Sequence, residues 1–155
     1  NCRTGPVGSL EPDVQRWHDV TEDPMYEGAQ AARRGNRVGK ISNAVQRMVE
    51  DAGFSVIRDF VGHGVGKSLH EEPQIPNFGR PGNGPKLREG VVLCIEPMVN
   101  MGRRAVKMSD DGWTALSADG SVSAHFEHTI IVTSEGPEIL SVPSGKEVPE
   151  LSLKD

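Results

Sequence analysis

The sequence predicts an α/β chain in which two helices come first and strands follow. Apolar residues recur at helical spacing from about residue 12 to residue 53, whereas the later apolar runs are short, rich in β-formers and bounded by Gly and Pro. At 155 residues the chain is long enough for one domain with a core and too short for two comfortable ones.

Residues 1 to 12 hold Gly5, Pro6 and Gly8 and read as a strand end running into a loop. From Pro12 to Arg34 the stripe Val14, Trp17, Val20, Met25, Tyr26, Ala29 and Ala32 predicts an amphipathic helix. Pro24 lacks a backbone N–H and must kink or split it. Gly35-Asn36 ends that helix, and Ile41, Ala44, Val45, Met48 and Val49 mark a second one that stops at Gly53. Both stripes are core-facing.

Phe54 to Val61 alternates and predicts a strand leading into Gly62-His63-Gly64-Val65-Gly66-Lys67-Ser68-Leu69-His70-Glu71-Glu72-Pro73. Ile75 to Pro85 is rich in Pro and Gly and reads as a long loop. Val91 to Val99 is the most apolar run and predicts a strand covered on both faces. Ser123 to Thr133 predicts another strand, with His125, Glu127, Thr129 and Ile131 on one face and Phe126, His128, Ile130 and Val132 on the other. Gly136-Pro137 marks a turn, Glu138 to Leu140 a short returning strand, and residues 141–155 a polar surface tail.

Composition excludes several classes. A net charge of -5 and a pI near 5.5 argue against a nucleic-acid or anionic-membrane partner held by bulk electrostatics. No apolar run approaches the roughly 20 residues that span a bilayer, and no signal-peptide pattern opens the chain. Cys94 reads as a buried reduced thiol and Cys2 lies near an end, so the pair is a poor disulfide framework and a reducing cytoplasm is expected. Because residue 1 is Asn, the sequence reads as part of a longer reading frame.

The chemistry centres on the glycine segment. Three glycines around His63 are poor packing material and let backbone approach a ligand closely. Gly66-Lys67-Ser68 resembles the end of a phosphate-binding loop, but the required earlier glycine is Val61 and Pro73 blocks the helix that should follow. His70-Glu71 resembles a zinc-protease helix, but the partner histidine is Gln74. Glu96 and Glu127 each interrupt an apolar strand. A carboxylate there either faces water at a sheet edge or needs a partner, such as a metal. His63, Glu96 and Glu127 together form a mixed nitrogen and oxygen set suited to Mn, Fe, Co or Zn, and His70 is a candidate donor to a substrate carbonyl.

At Gly62-His63-Gly64-Val65-Gly66, His70-Glu71-Glu72-Pro73, Ile95-Glu96-Pro97-Met98, Asp111-Gly112-Trp113 and Ser123-Ala124-His125-Phe126-Glu127-His128-Thr129 the sequence resembles the bacterial, type I methionine aminopeptidases. The resemblance runs from about Val14 to Leu140. It implies the C-terminal half of a pita-bread α/β (α+β) fold over residues 1–140, with two helices on a mainly antiparallel sheet.

It also implies that His63, Glu96 and Glu127 are metal ligands to two divalent ions. Glu96 would accept a proton from the bridging water, His70 would contact the substrate carbonyl, and Leu69 and Trp113 would line the methionine pocket. Leu69 stands where the family often has an aromatic residue. The family's two aspartate ligands and a further histidine belong to an N-terminal half, and Asp13, Asp19 and Asp23 do not occupy those positions.

The expected activity of the parent protein is removal of the initiator methionine from a nascent-protein N-terminus, with the ribosome as a further candidate partner. Residues 1–155 alone are expected to be inactive. The alternatives are a non-catalytic pita-bread binding module, an Xaa-Pro aminopeptidase or prolidase, and an enzyme whose other half is a separate chain.

Overall fold

A short β1 (Cys2–Arg3) leads to α1 (Pro12–Thr21) and α2 (Asp23–Ala31) in the computed structural model, which describes residues 1–142 and 151. The split that Pro24 demands therefore falls at Glu22, and each helix places a proline in its first turn, where the missing N–H has no helical partner to lose. α3 (Val38–Asp51) buries Val38, Ile41, Val45 and Val49 at successive turns, so its apolar stripe faces inward. A Cβ on Gly28 of α2 would lie 2.8 Å from Val45 Cγ2, and that closeness sets how tightly α2 packs on α3.

The strands are β2 (Ser55–Val56), β3 (Val61–Gly64), β4 (Glu71–Pro76), β5 (Val92–Ile95), β6 (Met98–Asn100), β7 (Val106–Met108), β8 (Ala115–Ser117), β9 (Ser123–Val132) and β10 (Pro137–Ile139). The main sheet runs β2-β6-β9-β5-β3-β4, with β1 and β10 also paired to β9; β7 and β8 form a separate hairpin. Every strand pairing among the described residues is antiparallel. The result is helices on an antiparallel sheet, the predicted fold class.

β9 is the spine. Its even-numbered residues Ala124, Phe126, His128, Ile130 and Val132 are buried, while His125, Glu127, Thr129 and Ile131 are partly exposed on the other face. The helices cover the even face: Ala29, Ile41 and Val45 pack with Leu93, Ile95, Ile130 and Val132, and Trp17 and Met25 pack with Ala124 and Phe126. Each large side chain buried this way stabilises by about 1.5–3 kcal/mol.

Several expectations need correction. Only Ser55–Val56 of the predicted 54–61 strand is extended ahead of β3, and it pairs with β6 rather than running into the glycine segment. Ile75 and Pro76 belong to β4, because Ile75 opposite Gly62 fills a core position that the Pro-rich composition obscured. The long 91–99 strand is broken at Glu96-Pro97, since Pro97 has no N–H to give a ladder. The β7–β8 hairpin carries no core stripe and left no periodic signal. The predicted tail lies outside the described residues except for Ser141, Val142 and Leu151. Ser141 Oγ accepts the Thr129 N–H at 2.9 Å and Leu151 packs against the main core, so at these points the segment is attached.

Candidate metal centre

β9 carries both halves of the broken β5–β6 run in a single register: Ile95 pairs with His128 and Met98 with His125. Carried through the break, that register sets Glu96 opposite Glu127, and the Phe126 N–H still donates to the Pro97 carbonyl at 3.2 Å. Directly opposed residues share a sheet face, and here that face is the one the helices do not cover. The two carboxylates are 13% and 18% exposed, so neither is an edge-strand glutamate facing water.

β3 brings the imidazole. His63 pairs with Cys94 on β5, and its Nε2 lies 3.2 Å from Glu96 Oε1. His63 Nδ1 is 2.9 Å from the Gly64 carbonyl, which can only accept, so Nδ1 bears the proton. Nε2 is left to face a carboxylate oxygen, where an ion could take a donor from each side, and the backbone bond at the other nitrogen is the usual way a metal-binding histidine is oriented. Glu96 Oε1 is buried with no hydrogen-bond partner, as a ligand atom without its ion would be. The Glu96 backbone is fixed separately, its carbonyl accepting from Asn77 Nδ2 at 2.8 Å.

The glycine segment holds His70 over this cluster. The Glu71 carboxylate accepts the Ser68 N–H at 2.7 Å and lies against Gly66, where any Cβ would collide with it. The turn so closed places the His70 ring 4.3 Å from the His63 ring, edge-on at 72°. Gly62 and Gly64 let β3 sit against Cys94 and Glu72 backbone, which a Cβ at either position would strike.

Two residues join the cluster that sequence reasoning left out. His125 Nε2 is 3.5 Å from Glu96 Oε2, so each carboxylate oxygen faces an imidazole. Its place on the Glu127 face of β9 was the available signal. Cys94, read as a buried reduced thiol, has its sulfur within 4.8 Å of ligand atoms of both His63 and Glu96. Burial above all pushes its thiol up to about 11, a 3.4 Å contact with the Thr129 hydroxyl opposes the rise, and the Glu127 carboxylate adds to it.

Residues 1–134 match the family model described as metallopeptidase family M24. The chain belongs to that metallopeptidase family. Methionine aminopeptidase from Clostridium perfringens is 52% identical over 141 residues, covering 91% of this chain and 57% of the relative. Methionine aminopeptidase 1 from Bacillus subtilis is 51% identical over 138 residues, 89% of this chain and 56% of the relative. The crystal structure of methionine aminopeptidase from Thermotoga maritima superposes with a TM-score of 0.84 at 49% identity, over 86% of this chain and 53% of that one. The chain thus spans about half the length of the relatives it matches.

The prolidase from Pyrococcus furiosus, at 21% identity and a TM-score of 0.69, shares the fold. The present chain has donors that fit a divalent ion: a nitrogen, a carboxylate oxygen without a hydrogen-bond partner, and a second carboxylate opposed to the first. Leu69 and Trp113 are 70% and 87% exposed, on the glycine turn and on the β7–β8 hairpin, so neither is enclosed among the described residues. A cavity of about 860 Å³ lies along α2 and α3, and none of the cluster residues lines it. No helix among the described residues is long and apolar enough to cross a membrane.

Proposed function

We propose that in the complete protein this cluster is part of the dimetal centre of a methionine aminopeptidase that removes the initiator methionine from nascent chains in the cytoplasm. The observation that carries the reading is the opposition of Glu96 and Glu127 across the opened ladder, with His63 Nε2 at 3.2 Å from Glu96. The relatives named methionine aminopeptidase, at about half identity over nine-tenths of the chain, support it.

His63, Glu96 and Glu127 would hold the ions. Two divalent ions, drawn from Mn, Fe, Co or Zn, would acidify a water for attack on the scissile carbonyl. Glu96 would serve as the proton acceptor, at a carboxylate whose backbone Asn77 keeps in place. His70, held above the cluster by the Glu71-closed turn, donates to the carbonyl oxygen as negative charge develops there. Leu69 and Trp113, exposed at the rim, contribute the wall against which the methionine side chain packs, desolvating on substrate binding. The peptide N-terminus is the substrate and the ribosome a candidate partner. Residues 1–155 alone, short of the family's aspartate donors, would hold ions weakly, because mutual repulsion of Glu96 and Glu127 is then poorly offset.

The complete protein with Mn²⁺ should release methionine from a Met-Ala-Ser peptide and leave Gly-Pro intact, and Glu96→Gln should abolish the release. Cleavage of Gly-Pro in place of Met-Ala-Ser would make the protein an Xaa-Pro peptidase, and cleavage of neither would leave it a binding module.

A further inference from the structure

We propose that Cys94 is a sulfur donor to the metal centre, giving a site otherwise built from nitrogen and oxygen an added affinity for thiophilic divalent ions such as Zn²⁺ and Cd²⁺. The inference rests on the metal-centre reading above and deepens it.

Cys94 occupies the floor of the cluster. It stands opposite His63 on one neighbouring strand and opposite Thr129 on the other, and it precedes Glu96 by two residues, so all of these side chains share one sheet face. The sulfur, a His63 ring nitrogen and a Glu96 oxygen lie within 4.8 Å of one another. Ligands held about 2.0–2.3 Å from one ion are separated by no more than about 4.6 Å, so the three donors close on a single ion with small side-chain shifts.

Two further observations point to a cation there independently of the cysteine. Glu96 Oε1 is buried without a hydrogen-bond partner, and His63 Nε2 faces it while Nδ1–H is committed to Gly64. The thiol meets the Thr129 hydroxyl at 3.4 Å, an ordinary distance for a sulfur hydrogen bond, and that hydroxyl can donate to the sulfur once it is bound to an ion. On coordination the S–H proton passes to solvent and the sulfur lone pair to the ion, with no change of oxidation state.

The test is a Cd²⁺ titration of the complete protein, followed by near-ultraviolet absorbance, beside Mn²⁺ binding measured by calorimetry. A sulfur-to-cadmium charge-transfer band should appear in the parent and vanish in Cys94→Thr, with Cd²⁺ affinity falling roughly tenfold or more. Mn²⁺, indifferent to sulfur, should lose less than about threefold. Cys2→Ser should keep the band; this variant is needed because Cys2 lies opposite Glu127.

No band in the parent, or a band that survives Cys94→Thr, overturns the proposal. Mn²⁺ binding without a cadmium–sulfur band defeats the sulfur donor alone, whereas a parent that binds neither ion defeats the metal centre and this inference with it. Should Cys94→Thr fail to fold, the cadmium NMR shift of the parent reads sulfur coordination without any variant.

Discussion

His63 Nε2 stands 3.2 Å from Glu96 Oε1 while its ring meets His70 edge-on at 4.3 Å. One imidazole thus links the floor of the cluster to the turn above it. Its orientation is set from behind by the Gly64 carbonyl, so the site is organised before any ion or substrate arrives.

Glu96→Gln keeps the shape of the side chain and removes its charge. In the metal-free protein it removes the charge of a buried carboxylate that faces Glu127, and thermal unfolding should show the variant more stable by about 1 kcal/mol. Divalent-ion affinity should fall roughly 100-fold in the same protein. Unchanged affinity would remove Glu96 from the ligand set.

Gly64→Ala introduces a Cβ into the Glu72 carbonyl, a backbone atom with no freedom to yield. The expected loss is about 1–3 kcal/mol, with the β3–β4 pairing displaced and peptidase activity reduced. Gly5→Ala meets nothing within 4 Å and is the matched control. Equal stability of the two variants in urea unfolding would show that close approach of β3 and β4 is not required.

Asn77→Ala removes the side chain that fixes Glu96 at the strand break. Asn77 is 1% exposed and donates to the Glu96 carbonyl at 2.8 Å, so its loss should destabilise by about 1–3 kcal/mol. Activity should fall further than stability accounts for, because the carboxylate loses its anchor. A variant with parental turnover at a temperature where it is fully folded would contradict this.

Asp119 governs the join between β6 and the β7–β8 hairpin. Its carboxylate accepts the Arg103 N–H at 2.7 Å and the Ser121 N–H at 3.1 Å, and these bonds, the Arg103 one foremost, lower its pKa to about 2. A depressed acid favours the folded state above the unfolded value of 3.8 and loses that contribution as pH falls towards 2. An NMR titration should therefore place the Asp119 midpoint near 2, with the hairpin amides shifting over the same range. A midpoint near 3.8 would mean the bonds do not form in solution.

Much of this was legible in the residues. Helical stripes gave α3 and the split at Pro24, and period-two alternation placed Glu127 and His128 on opposite faces of β9, as found. Glu96 and Glu127 stood out because a carboxylate inside an apolar run needs a reason. What the sequence could not supply was register: that Glu96 opposes Glu127, or that Cys94 lies beneath His63, depends on which strands pair and at what offset. His125 escaped for the same reason, its contact with Glu96 being made across strands. Ile75 was hidden by prolines around it, and the β7–β8 hairpin by its lack of buried apolar side chains.

The most direct measurement is a crystal structure of the complete protein grown with Mn²⁺, read in the anomalous difference map. Density within about 2.0–2.3 Å of His63 Nε2 and of carboxylate oxygens from Glu96 and Glu127 is the expected result. A map with strong anomalous peaks elsewhere and none between these three residues would contradict the account.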